Sequence, residues 1–254
     1  MEGYVKTEIH NGVGMITFHH PQSNSLPRKL LADLAHEMVY LSGNDAVRVI
    51  LLRSEGSVFC SGASFDELSQ ISTEKEGLDF FSGFAQVINA MRKSHKLIVA
   101  RVHGKCVGGG VGLAAAADYA IAVEGADVKL SELAVGIGPF VVGPAVERKI
   151  DRSAFSQLAI DSRMWRNGDW ARRKGLYAEL HPTVESMDES IERLTGHLAA
   201  SSPKAMHELK KVLWAGTENW DQLLMERAAI SGKLILSEQS KQAIAKFKQK
   251  MVPA

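Results

Sequence analysis

Three short runs of apolar residues, Val47 to Leu52, Leu97 to Val102 and Tyr119 to Val123, are the feature that most restricts the fold of this chain. Each has strand length and shows no alternation, which suits strands buried on both faces. Helical stripes alternate with them: Leu31, Leu34, Met38 and Leu41 before the first run, and Leu78, Phe81, Ala85 and Ile88 between the first and the second. Alternation of this kind requires crossover connections and a largely parallel sheet, so the expected class is α/β. Upstream, Val5, Thr7 and Ile9 alternate with polar neighbours, and Asn11-Gly12 precedes Val13 to Phe18, which predicts a hairpin with a tight turn. Ser25-Leu26-Pro27 marks the start of the first helix. From about Asp188 onward only helical stripes follow. The expected division is a core over residues 1–195 and a helical region over 196–254.

The composition excludes several classes. Thirty Lys and Arg against 29 Asp and Glu leave a net charge of +1, so nothing electrostatic points to nucleic acid or an anionic membrane as the main partner. Two cysteines, Cys60 and Cys106, cannot make a disulfide framework or a four-thiolate metal site. That usage, with no apolar leader in Met1 to Lys6, leads to the expectation of a cytoplasmic protein. No apolar stretch has the length of a membrane span. The nine histidines show no H-E-x-x-H or paired-cysteine spacing, and neither a metal nor a resident cofactor is expected.

Gly108-Gly109-Gly110-Val111-Gly112, between the second buried strand and an alanine run, exposes main-chain amides at a helix start, where phosphate or a developing oxyanion is favoured. The segment fits G-x-G-x-x-A, but six residues separate it from the strand, which argues against a dinucleotide fingerprint. A second amide-rich turn, Phe59 to Phe65, follows the first buried strand, and two such turns can aim two N–H groups at one oxygen. Ser61 or Ser64 with His103 would be a hydrolytic pair, yet no G-x-S-x-G elbow accompanies them.

Ser23-Asn24-Ser25-Leu26, Phe59-Cys60-Ser61-Gly62-Ala63, Gly108-Gly109-Gly110, Ala117-Asp118 and Ser131 to Ile137 occur in the order and spacing of the crotonase, or enoyl-CoA hydratase/isomerase, superfamily, which the chain resembles along nearly its whole length. The resemblance implies a spiral of β-β-α units, trimers or pairs of trimers, and an acyl-CoA thioester as substrate. It makes the Ala63 and Gly109 N–H groups the oxyanion donors and Glu132 the catalytic acid-base. It places Ser25, Ser61 and Ala63 along the coenzyme A, and Phe247 and Lys250 at the adenine end of a neighbouring subunit's ligand. Family hydratases carry a second glutamate at the position of Gly112. A single glutamate, with the stretch Val135 to Phe140, is similar to the Δ3,Δ2-enoyl-CoA isomerases, and Phe140 departs from the acid of dienoyl-CoA isomerases.

Three functions stay open: a one-base isomerase, a hydratase in which Asp66 or Glu67 replaces the missing acid, and a non-catalytic acyl-CoA-binding subunit. Leu133, Ile137 and Phe140 are expected to form an apolar wall that raises the pKa of Glu132. Asp118 is expected to be a structural cap or turn residue.

Overall fold

A computed structural model describes residues 3–251, with side chains through Lys248. It opens with the expected hairpin of β1 (Tyr4–His10) and β2 (Val13–His19), turned by Asn11 and Gly12, both at positive φ. Then follow β3 (Ser25–Leu26), α1 (Arg28–Gly43), β4 (Val49–Ser54), β5 (Gly62–Ala63), α2 (Phe65–Leu68) and α3 (Glu74–Lys93). The next turn of the spiral is β6 (Leu97–Val102), β7 (Cys106–Val107) and α4 (Gly109–Ala116). After it come β8 (Tyr119–Val123), β9 (Val128–Lys129) and a 3-10 turn over Glu132–Val135. The remainder is α5 (Gly143–Ile160), α6 (Gly168–Arg173), β10 (Glu179–His181) and α7 to α10 (Val184–Ala200, Pro203–Leu213, Trp220–Leu234, Glu238–Met251).

The main sheet has the order β1-β2-β4-β6-β8-β10, parallel throughout except for the β1-β2 hairpin. Two-stranded parallel ladders, β3-β5 and β7-β9, stand beside it. Long strand, short strand and helix therefore repeat, which is the spiral of β-β-α units expected.

The non-alternating runs are explained by the two faces of this sheet. Ile50, Leu52, Ile98 and Ala100 join the main core beneath α1, α3 and α4, whereas Val49, Leu51, Val99 and Ile121 pack with Met187 and Ile191 of α7. The first run is displaced from its expected bounds. Val47 precedes β4 in a loop where its N–H donates to Asn44 O, and its side chain is buried there. Likewise Ser25 and Leu26 form β3, and α1 begins after Pro27.

Residue 195 lies inside α7, so the expected division between 195 and 196 falls within one helix. Beyond it, α9 packs along α3 and α10 lies against α2 and the 3-10 turn of the same chain. The α3-α9 crossing has no space for side chains: a Cβ on Gly77 would stand 2.5 Å from Gly232 O, and one on Gly232 would stand 2.6 Å from Leu78 N. Gly77→Ala is expected to lower stability by about 1–3 kcal/mol through this main-chain clash. Urea unfolding checks it; an unchanged midpoint would mean that the helices do not cross here.

Asp118 ties the helical region to the sheet. Its Oδ2 accepts from Ile98 N at 2.8 Å and from Lys210 Nζ at 2.7 Å, and its Oδ1 accepts from Trp214 Nε1 at 2.7 Å. Both members of the Asp118–Lys210 ion pair are almost fully buried. Lys149 Nζ donates to the carbonyls of Ala117 and Asp118, next to this pair, and burial pushes its pKa down to about 8. Trp214 packs edge-on against Trp220 inside the core.

Candidate active site

The two amide-rich turns are brought together by main-chain pairing. Cys60 N donates to Lys105 O and Val107 N donates to Cys60 O, which joins the turn after β4 to the turn after β6. Gly108 N donates to Lys129 O, which joins the second turn to the segment that carries Glu132. A Cβ on Gly62 would stand 3.4 Å from Gly109 N, so the turns abut. Gly108 adopts φ +52 and ψ −115, a conformation glycine tolerates best, and α4 starts directly after it. Gly109 is therefore the first helical residue, whose N–H has no intrahelical acceptor. Among the described residues it donates to no other main-chain carbonyl. Ala63, the other expected donor, ends β5 and lines the same cleft.

That cleft is narrow, with a cavity volume of about 50 Å³. Its walls are mostly apolar, with Phe81 and Phe84 from α3, Leu68 from α2, and Ile137, Phe140 and Val142 from the segment before α5. Glu132 is the only carboxylate that lines it among the described residues. The 3-10 turn sets its carboxyl against the Gly108 backbone, where a Cβ would stand 2.9 Å from Oε1. Oε2 is buried and has no hydrogen-bond partner. Loss of solvent raises the pKa of Glu132 to about 7, against a smaller lowering by its own N–H. A carboxylate so placed can exchange a proton near neutral pH beside an amide at a helix start.

The apolar wall differs from the expected one at a single residue. Ile137 and Phe140 line the cleft, but Leu133 is 52% exposed and does not. It follows Glu132 in a tight 3-10 turn, which points consecutive side chains in different directions.

Position 112 carries more information than its lack of a side chain. A Cβ on Gly112 would stand 2.5 Å from Val142 Cγ1 and 2.8 Å from Val142 Cβ, so Val142 fills the volume a side chain there would need. The sequence names Gly112 but not its occupant, because residues 112 and 142 meet only in three dimensions. Phe84 was missed for the same reason: its ring lies directly against the Gly109 backbone.

Asp66 and Glu67 do not supply the missing acid. Asp66 accepts from Gln22 and pairs with Lys248 at 2.8 Å, Glu67 accepts from Arg28 N at 2.7 Å, and neither lines the cleft. The Ser–His pair is not assembled either. Ser61 Oγ donates to Gln22 O, Ser64 caps α2, and His103 Nε2 contacts Gly56 O.

The expected coenzyme A contacts are only partly gathered. Ser61 lines the cleft, whereas Ser25 is buried beneath it, opposite Gly62 in the β3-β5 ladder and 3.0 Å from His20 Nδ1. Phe247 stacks on Phe65 of its own chain, with ring centroids 5.7 Å apart. The Lys250 side chain lies outside the described residues. Cys60 and Cys106 are free and buried, and burial pushes both thiols up. No group of three or more His, Cys, Asp or Glu able to hold a metal exists among the described residues, and none of their helices is long and apolar enough to cross a membrane.

Comparison with known proteins agrees with this geometry. The family model for enoyl-CoA hydratase/isomerase matches residues 8–254. A "Probable enoyl-CoA hydratase" of Bacillus subtilis (strain 168) is 26% identical, over 95% of this chain and 94% of its own length. The peroxisomal Delta(3,5)-Delta(2,4)-dienoyl-CoA isomerase of Arabidopsis thaliana is also 26% identical, over 91% of this chain and 87% of its length. The crystal structure of enoyl-CoA hydratase from Bacillus halodurans superposes with a TM-score of 0.88 at 22% identity, covering 96% of this chain and 99% of that one. With the two amide-rich turns, the cleft-lining glutamate and a family match over almost the whole sequence, the chain belongs to the enoyl-CoA hydratase/isomerase family and is an enzyme of the crotonase superfamily.

Proposed function

We propose that this enzyme is a Δ3,Δ2-enoyl-CoA isomerase in which Glu132 is the sole acid-base. One observation carries the reading. Glu132 is the only carboxylate lining the cleft among the described residues, and Val142 occupies the space at Gly112 that a second acid would need. In the proposed reaction the thioester carbonyl accepts hydrogen bonds from the Ala63 and Gly109 N–H groups. Ionised Glu132 removes a proton from C2, and the resulting negative charge spreads over a dienolate and the thioester oxygen, which the two donors stabilise. The double bond shifts from 3,4 to 2,3 as the same carboxyl returns the proton to C4. The apolar wall excludes the water that would otherwise compete for the proton. Ser61 and Phe247 are proposed to contact the coenzyme A, within the trimer that the resemblance implies.

Hydratase activity is the second reading, supported by the names of relatives such as the Bacillus subtilis protein. Enoyl-CoA pairs of equal chain length separate the two. Conversion of the 3-enoyl thioester without water addition to the 2-enoyl thioester is expected, and rapid hydration would overturn the isomerase reading. Binding of both without turnover would favour the non-catalytic role.

Val142 also predicts what engineering requires. Gly112→Glu alone is expected to disrupt the cleft, because the new side chain meets Val142. In the Gly112→Glu/Val142→Ala double variant the acid gains room, and hydration of 2-enoyl thioesters is expected to rise at least about tenfold above the single variant. Comparing hydration by the two variants checks this, and equal rates would show that Val142 is not the obstacle.

A further inference from the structure

Resting on the isomerase reading, we infer that the substrates carry no charge along the acyl chain and that thioesters of dicarboxylic acids are excluded. No cation lines the cleft among the described residues: apart from Glu132, its polar side chains are the hydroxyls of Ser61, Ser131 and Ser231. Around the expected reacting carbons stand Phe84 against Gly109, Val142 against Gly112, and Phe140 folded over Gly138. A second carboxylate in this space would lose its hydration without gaining a partner, and it would face the negative charge of the working base. Lys129, Arg163 and Lys246 line a neighbouring cavity that shares only Ser131 with the catalytic one, and none of the three lines the catalytic cleft. Ser231, which α9 inserts into the wall, is almost fully buried. It can accommodate a neutral hydrogen-bonding atom, but it cannot neutralise an anion.

The test compares 3-hexenoyl-CoA with 3-hexenedioyl-CoA, which has the same number of acyl carbons and a terminal carboxylate, and with the methyl ester of the latter. The thioester with the terminal carboxylate is expected to react with kcat/KM lower by on the order of 100-fold or more, and the ester to recover most of that loss. Equal kcat/KM for the hexenoyl and hexenedioyl thioesters would overturn the inference. Calorimetric binding of hexanoyl-CoA and adipoyl-CoA separates this inference from the reaction assignment. Should no 3-enoyl thioester turn over, the isomerase reading falls, while an adipoyl-CoA affinity on the order of 100-fold weaker than that of hexanoyl-CoA still supports charge exclusion. Equal affinities would reject it.

Discussion

Glu132→Gln is expected to abolish isomerisation and, at pH 8, to make the protein more stable. The amide keeps the shape of the side chain but cannot take a proton, and loss of a positioned general base lowers kcat by about 10³-fold or more. The stability effect follows from burial. A carboxyl that titrates near 4.5 in the unfolded chain titrates at about 7 in the folded one, so the folded state holds its proton more tightly. Stability therefore falls as pH rises from about 4.5 to about 7, and above that window the ionised group weakens the fold by about 3 kcal/mol. Glutamine is neutral at every pH and escapes that penalty, but it leaves its own buried amide without partners, so a net gain of about 1–3 kcal/mol is expected at pH 8. At pH 4.5 the gain disappears, because both forms are then neutral. Urea unfolding at the two pH values checks this, and a variant less stable at pH 8 would mean that the carboxylate has found stabilising partners.

The second large effect lies outside the cleft. Asp118→Ala removes the acceptor of Ile98 N, Lys210 Nζ and Trp214 Nε1 together and leaves Lys210 buried without its counter-ion. Removing one partner of a buried pair destabilises by about 3–5 kcal/mol, a large share of the stability of an ordinary domain. Burial already holds Lys210 below the ordinary lysine pKa, against the opposing pull of Asp118. With the partner gone, the amine is driven further toward its neutral form. The double variant Asp118→Ala/Lys210→Met is expected to recover part of the loss, because it removes the orphaned charge. Urea unfolding of the single and double variants measures both effects. A loss below about 1 kcal/mol for Asp118→Ala would show that the pair is exposed to water in solution.

How much of this was legible in the sequence depends on the range of the interaction concerned. The buried strands were legible because burial on both faces leaves an unbroken apolar run, as with Val49 and Leu51 against α7 and Ile50 and Leu52 against the main core. The two-residue strands β3, β5, β7 and β9 were not, since two residues carry no period, yet their ladders align the two amide turns. Glu132 could be singled out only through the resemblance, because a lone glutamate after a short strand is ordinarily exposed. Its carboxyl lies against the backbone of Gly108, 24 positions earlier in the chain, a contact no local pattern shows. Leu133 was misassigned because no helical or strand period describes one turn of 3-10 helix. The Asp118–Lys210 pair spans 92 residues, so Asp118 reads locally as a turn residue and structurally as an anchor.

In the proposed mechanism one carboxylate, that of Glu132, performs the proton transfer alone. The most direct test is the pH dependence of kcat/KM for a 3-enoyl thioester, which reports the ionisations of the free enzyme. The predicted profile is one ascending limb with a midpoint near 7, set by Glu132, and a plateau above it. A profile without an ionisation near 7, or a bell-shaped one demanding a second group, would contradict the one-base mechanism.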